Sequence, residues 1–462
     1  MMGRVRRIHF VGIGGIGMSG IAQVLLNLGY QVAGSDLKPT ELTRRLAAGG
    51  ARIFTGHRAG NIRGAEVVVV SSAVARSNPE VRAARAGGIP VIPRAEMLAE
   101  LARLKKTVTV SGTHGKTTTT AMTAVALAAA GADPTMIVGG QLANIGSNAR
   151  LGMGELLVAE ADESDGSFLR LRPLVTVVTN IDSDHLDHYG SFGALKKAFL
   201  THIHSVPFDG VAVLCLDDPV VRALLAQVDR PVVTYGLRQG ADWRGRILPD
   251  KRSRNWGMRV ALYRKGRKAG TLTLKVPGRH NAQNALAAVA VCSWLGMDLK
   301  KTLRGLASYD GVGRRLDRLG EAAGVTFIDD YGHHPTELRT VLETVRSRMT
   351  RRQRLVAIFQ PHRYSRTKAL HRSFGPALAL ADKAYVMEIY AAGEKPLRGV
   401  TSRLILEAAR RSGADAHAYT RVVDLVRELK PGDVVVTLGA GDVWKTGLDL
   451  LRRLDRRTLA SI

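Results

Sequence analysis

The sequence predicts an α/β protein built from three domains. Continuous apolar runs of strand length, such as Val67–Val70, alternate with helix-forming segments, a pattern typical of parallel sheets covered by helices. Two of the predicted strands run directly into glycine-rich loops, which is where α/β proteins bind nucleotides. The length of 462 residues agrees with this, because it corresponds to about three domains of roughly 150 residues each.

The composition is that of a folded protein in a reducing compartment. Apolar residues make up 45% of the chain and charged residues 23%, and no apolar stretch reaches the ~18–20 residues that span a membrane. The N-terminal residues run straight into a predicted strand and therefore do not resemble a cleaved signal. Only two cysteines occur, Cys215 and Cys292, both in apolar surroundings. We expect a cytoplasmic protein with no membrane partner.

The charge is unusually positive. The chain has 67 Lys and Arg against 40 Asp and Glu, a net charge of +27, which first suggests a nucleic-acid-binding protein. However, the basic residues are scattered along the chain, aromatic residues total only 5%, and no basic block alternates with aromatics. We therefore expect a basic surface that attracts anionic nucleotides, and no nucleic-acid partner. The sequence does not predict the oligomeric state.

The domain limits follow from the points where new strand-and-loop units begin. We expect the first domain at residues 1–104, the second at 105–313 and the third at 314–462. A polar, irregular stretch at 240–268 predicts a hairpin region within the second domain. We find no internal repeat.

The first glycine loop, Gly12–Gly17, follows a predicted strand and opens a predicted helix. Asp36 lies 19 residues after Gly17, at the end of the next strand. This arrangement fits the dinucleotide-binding fingerprint, in which glycines let a pyrophosphate approach the backbone and an acid accepts from a ribose hydroxyl. Any nucleoside diphosphate derivative offers the same group, so the motif does not select NAD. A simple tight turn is the alternative.

The second glycine loop resembles a shortened P-loop. It reads Gly112-Thr113-His114-Gly115-Lys116-Thr117-Thr118 and lies between a strand and a helix. Its backbone amides would hold phosphates, Lys116 would reach the β- and γ-phosphates, and the Thr117 hydroxyl would hold Mg²⁺. We predict ATP here. Two nucleotide loops suggest two different nucleotide ligands, which neither a dehydrogenase nor a simple ATPase needs.

Two polar clusters follow strands of the second domain. The first, Glu160-Ala161-Asp162-Glu163-Ser164-Asp165, offers several carboxylates for Mg²⁺, and Glu160 is nearest the strand end. The second runs from Asn180 to His188 and holds His and Asp residues near the predicted phosphate loop, which favours a metal or catalytic role. The alternative interpretation for most of these acids is that they lie in a solvated loop. The alternative for any single histidine is a structural role.

These motifs resemble the Mur ligases, which build the peptide of bacterial cell-wall precursors. The shared segments are Gly112 to Thr118, Asn180 to Asp187 and His280-Asn281-Ala282-Gln283-Asn284-Ala285. Three further segments resemble the alanine-adding branch, namely Gly14 to Ala22, Asp329 to Glu337 and Phe359 to Thr367. The resemblance covers essentially the whole chain, in order.

The resemblance implies a Rossmann-like first domain that binds UDP-N-acetylmuramate, a central P-loop-type ATPase α/β domain, and a Rossmann-like third domain that closes over the site and admits L-alanine. It implies ATP-driven amide bond formation through an acyl phosphate. The first loop's pyrophosphate would then belong to UDP. The UDP-sugar contacts so implied are Gly14, Gly15, Gly17, Ser19, Asp36 and Ser72.

The resemblance also implies roles for the residues around ATP. Lys116, His185 and Arg315 would be catalytic, with Arg315 reaching the phosphates. One Mg²⁺ would be held by Thr117 and Glu160, and a second ion by His185. The ATP contacts would be Gly112, Thr113, His114, Gly115, Lys116, Thr117, Thr118, His280, Asn281, Asn284 (at the adenine), Arg315 and Asp330 (at the ribose).

One position departs from most of the family. Where other Mur ligases have a carbamylated lysine, this chain has Phe199, and the alanine-adding branch is similar in lacking that lysine. The second site should therefore be weaker and accept Mn²⁺. The amino-acid contacts implied are Tyr331, His362, Arg363 and Arg366, with an interdomain salt-bridge role as the alternative. The alternatives for the whole chain are the sister ligase that adds an intact tripeptide, a folate polyglutamate ligase, and a catalytically silent nucleotide-binding scaffold.

Overall fold

The computed structural model describes residues 5–71, 73–140, 148–249 and 256–460. Contacts between these residues divide the chain into two compact units. The first unit consists of Met1–Lys275 and His280–Asp310, and the second of Val276–Arg279 and Gly311–Ile462. The first unit contains two sheets and the second contains one. No helix among the described residues is long and apolar enough to cross a membrane.

The first sheet is parallel throughout, with strand order β3-β2-β1-β4-β5. Its strands are β1 Arg7–Val11, β2 Gln31–Asp36, β3 Arg52–Thr55, β4 Val67–Val70 and β5 Val91–Pro93. Its helices are α1 Ile16–Asn27, α2 Glu41–Ala48, α3 Pro79–Ala86 and α4 Arg94–Ala102. The strand order reverses beside β1, which is the point where open α/β sheets bind ligands.

The second sheet has ten strands in the order β15-β14-β13-β12-β11-β10-β6-β9-β7-β8. They are β6 Lys106–Ser111, β7 Thr135–Ile137, β8 Ala149–Arg150, β9 Leu156–Glu160, β10 Val175–Val178, β11 Val211–Cys215, β12 Val232–Gly236, β13 Trp243–Ile247, β14 Met258–Arg264 and β15 Arg267–Leu274. Its helices are α5 Lys116–Ala129, α6 Leu186–Tyr189, α7 Phe192–His204, α8 Pro219–Leu224, α9 Arg279–Trp294 and α10 Leu299–Ser308. Strands β13 to β15 pair antiparallel, which confirms the hairpin region.

The two predicted N-terminal domains form one compact unit because their elements share a core. Helix α1 contacts β7 and β8, and one cluster of buried apolar side chains includes Ile21 from the first sheet layer and Leu157 from the second. Asn148 adds a polar link, since its Nδ2 donates to the Ile16 carbonyl at 2.5 Å. This packing fixes the first glycine loop relative to the second sheet.

The second unit contains a six-stranded sheet in the order β16-β17-β21-β18-β19-β20, in which only β16 runs antiparallel. The strands are β16 Asp317–Ala322, β17 Val325–Asp330, β18 Leu355–Phe359, β19 Lys383–Val386, β20 Ala416–Ala418 and β21 Val434–Leu438. The helices are α11 Pro335–Arg346, α12 Tyr364–Leu378, α13 Arg403–Arg411, α14 Val422–Glu428 and α15 Val443–Ala460. The α/β fold class with Rossmann-like terminal sheets and a mixed central sheet is confirmed.

A buried carboxylate ties the first sheet to its neighbouring loops. Glu80, in the first turn of α3, is fully buried and accepts hydrogen bonds from Ser35 Oγ and Asn61 Nδ2, both at 2.5 Å. His9 Nε2 lies 3.5 Å from the same carboxylate. Burial alone would raise the pKa of Glu80, but the contacts with His9, Ser35 and Asn61 outweigh it and hold the pKa at about 2.

This pKa predicts that Glu80→Gln destabilises the protein. A folded pKa below the unfolded value gives stability that is present above pH ~4.5 and is lost as the pH falls toward 2. We therefore expect the free energy of unfolding to fall by about 2–3 kcal/mol at pH 7. Urea unfolding from pH 7 to pH 3 measures it, and the gap between variant and wild type should narrow below pH 4.5. A gap that stays constant with pH would exclude the ionised carboxylate as its source.

Candidate active site

The phosphate loop has the backbone that its glycines predict. Gly112 has a φ of +127° and Gly115 a φ of +80°, both in the region that glycine adopts readily. A Cβ at Gly112 would overlap the Thr179 hydroxyl of the neighbouring strand end, so no other residue fits there. Gly115 precedes α5, which begins at Lys116. The loop therefore turns from β6 into the start of α5, where backbone amides are able to bind an anion.

The loop after β10 is bonded to the phosphate loop and fixes its shape. Asn180 Oδ1 accepts from the His114 amide at 2.8 Å, and Asn180 Nδ2 donates to the His114 carbonyl at 3.0 Å. The Asp182 amide donates to the Thr113 hydroxyl at 2.9 Å, and Asp182 Oδ2 lies 3.0 Å from His114 Nε2. The predicted cluster from Asn180 to His188 thus begins with residues that support the phosphate loop.

Lys116 is held inside the loop by a buried carboxylate. Its Nζ donates to both oxygens of Glu163 at 2.8 Å and to the Gly112 carbonyl at 2.8 Å. Burial alone would lower the pKa of Lys116, but the charges of Glu163, Asp162 and Glu160 raise it. The side chain therefore keeps its charge, and the Glu163 carboxylate, only 1% exposed, is its partner.

Glu160 and Thr117 form a second pair at the loop. Glu160 ends β9, and its Oε1 accepts from the Gly139 amide at 2.6 Å. Burial raises the pKa of Glu160, and hydrogen bonds from Gly139 and Thr117 oppose the shift. The half-buried Glu160 carboxylate and the Thr117 hydroxyl in contact with it are oxygen ligands of the kind that Mg²⁺ prefers.

His185 lies near the Glu163 carboxylate that binds Lys116. It has a left-handed backbone, with φ +57°, and immediately precedes α6. Its Nε2 is 3.8 Å from Glu163 Oε1 and 3.7 Å from Asp184 Oδ2. The Tyr189 hydroxyl donates to the Glu163 carbonyl at 2.6 Å, so α6 also positions the acid loop. Phe199, by contrast, is fully buried against Phe168, with ring centroids 5.2 Å apart, and offers no ligand.

Asn284 approaches the phosphate loop from α9. Its Oδ1 lies 3.0 Å from the position that a Cβ on Gly115 would occupy, and its Nδ2 lies 3.3 Å from Asn281 Oδ1. Both asparagines are buried. The structure therefore brings the predicted adenine contact Asn284, with Asn281 beside it, to the start of α5.

The first glycine loop closes on Asp36. The Gly14 amide donates to Asp36 Oδ2 and the Leu37 amide to Asp36 Oδ1, both at 2.8 Å. Ser19, a predicted UDP-sugar contact, is 3% exposed, and its hydroxyl bonds to the Ile16 carbonyl and to Asn148. These bonds link the start of α1 to Asn148, and the UDP-sugar contact of Ser19 stays a prediction. Ser72 lies outside the described residues.

The second unit carries its own cluster of predicted residues. The guanidinium carbons of Arg314 and Arg315 each lie 5.0 Å from the centre of the Tyr331 ring. His362 stacks on Tyr390 with centroids 5.7 Å apart, and its Nδ1 is 3.4 Å from Arg366 Nη1. Burial, helped by the positive charges of His333, Arg366 and Arg363, lowers the pKa of His362 to about 3. His362 is therefore neutral at physiological pH.

Asp330, the predicted ribose contact, supports the loop that carries Arg315. Its carboxylate is 4% exposed and accepts from the Leu316 amide at 2.8 Å and from the Gly332 amide at 2.7 Å. Burial raises its pKa to about 6, against the opposing charge of Arg315. These bonds hold the loop next to Arg315, and the ribose contact of Asp330 stays a prediction.

Four residues that shape the site in the first unit are not individually predicted by the sequence. They are Glu163, Asn180, Asp182 and Tyr189, which position either Lys116 or the phosphate loop. Glu163 is one of several acids in its segment, and nearness to the strand end favours Glu160 instead. The signal that points to Glu163 is that a buried lysine in the loop needs an anion beside it.

The fold and the two loops define a nucleotide-binding α/β protein of the P-loop type. Three models of one family match it: "Mur ligase family, catalytic domain" at residues 7–106, "Mur ligase middle domain" at 110–292 and "Mur ligase, glutamate ligase domain" at 314–441. The chain belongs to the Mur ligase family, as its motifs predict.

Individual relatives agree over nearly the full length. The chain is 50% identical to the UDP-N-acetylmuramate–L-alanine ligase of Geobacter sp. (strain M21), over 98% of this chain and 99% of that one. It is also 50% identical to the UDP-N-acetylmuramate–L-alanine ligase of Endomicrobium trichonymphae, over 96% of this chain and 98% of that one. The crystal structure of the UDP-N-acetylmuramate–alanine ligase of Thermotoga maritima matches with a TM-score of 0.80 and 32% identity, covering 99% of this chain and 100% of that one.

Proposed function

We propose that this chain is an ATP-dependent ligase that joins L-alanine to UDP-N-acetylmuramate. The products are UDP-N-acetylmuramoyl-L-alanine, ADP and phosphate, in the synthesis of peptidoglycan precursors. The observation that carries the proposal is the identity of about 50% with ligases of that name along almost the whole chain. The presence of a glycine loop on the first sheet and a phosphate loop on the second supports it, because this reaction uses two different nucleotides. We place the reaction in the cytoplasm.

The reaction proceeds by two transfers. A carboxylate oxygen of the UDP-sugar attacks the γ-phosphorus of ATP, and the bond to the β–γ bridging oxygen breaks to release ADP. The amine of alanine, after losing a proton, then attacks the carbonyl carbon of the acyl phosphate and phosphate leaves. Lys116 neutralises the charge on the transferring phosphoryl group, and to do so it exchanges Glu163 for phosphate oxygens.

The residues present fit Mg²⁺. Thr117 and Glu160 supply a hydroxyl and a half-buried carboxylate in contact, both hard oxygen ligands. Bound there, the ion would offset phosphate charge during transfer. When Lys116 turns to phosphate, the Glu163 carboxylate is left buried beside His185 and needs another cation. His185 and Glu163 would hold a second ion that meets this need, and because imidazole is a poor Mg²⁺ ligand, the site would also accept Mn²⁺.

This assignment predicts a metal defect in His185→Ala. We expect the Mg²⁺ concentration for half-maximal phosphate release to rise and turnover to fall, because Phe199 offers no replacement ligand. Electron paramagnetic resonance of Mn²⁺ with a non-hydrolysable ATP analogue should count one bound ion fewer than in wild type. His204→Ala, at a partly exposed histidine that bonds the Gln227 carbonyl, is the matched control. Unchanged Mn²⁺ binding in His185→Ala would remove His185 from the metal site.

The second unit would bind the amino acid. We assign the alanine carboxylate to Arg363 and Arg366, because His362, with its pKa of about 3, is uncharged and an arginine fork suits a carboxylate. Tyr331 would line the pocket. Since the carboxylate is common to all amino acids, selectivity must come from the side-chain methyl group.

An amino-acid panel tests the proposed function. One buried methyl group gives about 10- to 200-fold discrimination, so we expect L-alanine to be the best substrate and glycine and L-serine to be poor. L-Glutamate and L-lysine should give no turnover, because larger side chains clash. The measurement is phosphate release with each amino acid, dependent on UDP-N-acetylmuramate. A preference for glutamate or for an intact tripeptide would assign the chain to another ligase of the family.

A further inference from the structure

Arg94 lies against the helix that opens the first nucleotide loop. It is the first residue of α4 and follows directly on β5. Its Nη1 is 2.8 Å from the position that a Cβ on Gly17 would occupy, and its Cδ is 3.3 Å from the same point. Glycine at position 17 therefore lets the guanidinium rest on the backbone of the first turn of α1. This contact explains why glycine is needed at position 17, in addition to the tight turn of the loop.

The start of α1 presents amides without partners beside that guanidinium. No side chain caps the helix, and its first turn contains no acidic residue. The Ser19 amide makes the first helical bond, to the Gly15 carbonyl at 2.8 Å. Among the described residues, none accepts a hydrogen bond from the amides of Ile16, Gly17 or Met18.

Arg94 itself is held only loosely by the protein. Its one ion pair in the described structure is with Asp162 Oδ2 at 3.6 Å, which is too long for a good hydrogen bond. The side chain is 28% exposed. Asp162 belongs to the same acid loop as Glu160 and Glu163, so Arg94 lies between the first glycine loop and the loop that holds Lys116.

We propose that Arg94 is a substrate-binding residue that contacts the diphosphate of the UDP-sugar together with the free amides of α1. The inference rests on the proposed function for the identity of that diphosphate. An anion at the start of α1 is attracted by the helix dipole and lies within reach of the guanidinium fork. Binding takes Arg94 away from Asp162, which links occupation of the UDP-sugar site to the acid loop.

Calorimetry with UDP and the full-length chain, without ATP, tests this directly. UDP has the diphosphate but no sugar carboxylate. We expect Arg94→Ala to weaken UDP binding by about 10-fold or more, which corresponds to about 1.4 kcal/mol. Arg94→Lys keeps the charge without the fork and should lose less. Asp162→Asn should bind UDP at least as tightly as wild type, because it no longer competes for Arg94. Arg82→Ala, which removes an exposed arginine of α3, is the charge-matched control and should change binding less than twofold.

Steady-state kinetics separate substrate contact from a general structural role. In Arg94→Ala the KM for UDP-N-acetylmuramate should rise while the KM values for ATP and L-alanine stay within twofold of wild type. Wild-type UDP affinity in Arg94→Ala would overturn the proposal, and so would a loss seen with UDP-N-acetylmuramate but not with UDP. An equal rise of all three KM values would also overturn the proposal, because it would indicate that the substitution damages the fold. A wild-type chain that binds UDP yet makes no product would contradict the proposed function alone, and one that binds no UDP would contradict both.

Discussion

Lys116→Ala should abolish ligation while leaving the UDP-sugar site intact. Lys116 is the only lysine in the phosphate loop, and its ammonium is poised between the loop carbonyls and Glu163. Removing one preorganised charge from a transferring phosphoryl group lowers turnover by about 10²- to 10³-fold or more. The glycine loop that we assign to UDP belongs to the other sheet of the same unit, so its geometry should not change.

Phosphate release and UDP calorimetry on the same preparation measure the two effects. Lys106→Ala is the control, because Lys106 begins the same strand but forms an exposed pair with Glu155. That variant should keep nearly full activity. If UDP-sugar affinity fell in step with turnover in Lys116→Ala, the assignment of two separate nucleotide sites would be wrong.

Glu163→Gln should destabilise the nucleotide-free protein and be rescued by nucleotide. The substitution leaves the Lys116 ammonium without its closest anion, and an uncompensated buried charge of this kind destabilises by about 3 kcal/mol. Phosphates can replace the lost carboxylate. A non-hydrolysable ATP analogue with Mg²⁺ should therefore raise the melting temperature of the variant more than that of wild type.

Thermal unfolding with and without the analogue checks this expectation. Glu155→Gln removes a carboxylate of the same size from an exposed pair and should leave the melting temperature unchanged. The double variant Lys116→Ala with Glu163→Gln should be more stable than the sum of the single changes indicates, because it leaves no isolated charge. Additive effects would show that the two side chains do not depend on each other.

The strands, the helices and the two glycine loops could be predicted because each depends on residues within its own short segment of sequence. Gly112 and Gly115 need positive φ angles, and the residues that supply them also mark where a strand turns into a helix. The asparagines of α9 were selected through the family motif, and Asn284 does lie against Gly115. Such positions depend on the backbone of their own segment.

The partners of Lys116 could not be chosen in the same way. Glu163 rather than its neighbours meets the lysine because the acid loop is positioned by Tyr189, 26 residues further along the chain. Ser19 and Asp330 sit in motifs with the right spacing, yet their side chains turn inward to Asn148 and to the Leu316 and Gly332 amides. Side-chain direction at these positions depends on distant packing, which spacing alone does not encode.

The central claim is that the chain joins L-alanine to UDP-N-acetylmuramate through an acyl phosphate, and mass spectrometry of the products tests it most directly. The reaction would contain UDP-N-acetylmuramate labelled with ¹⁸O in its carboxylate, ATP, Mg²⁺, and L-alanine in competition with glycine, L-glutamate and the intact tripeptide. We expect UDP-N-acetylmuramoyl-L-alanine as the main product and one ¹⁸O atom transferred to inorganic phosphate. Phosphate without ¹⁸O would contradict the acyl phosphate, and a glutamyl or tripeptide product would contradict the alanine ligase.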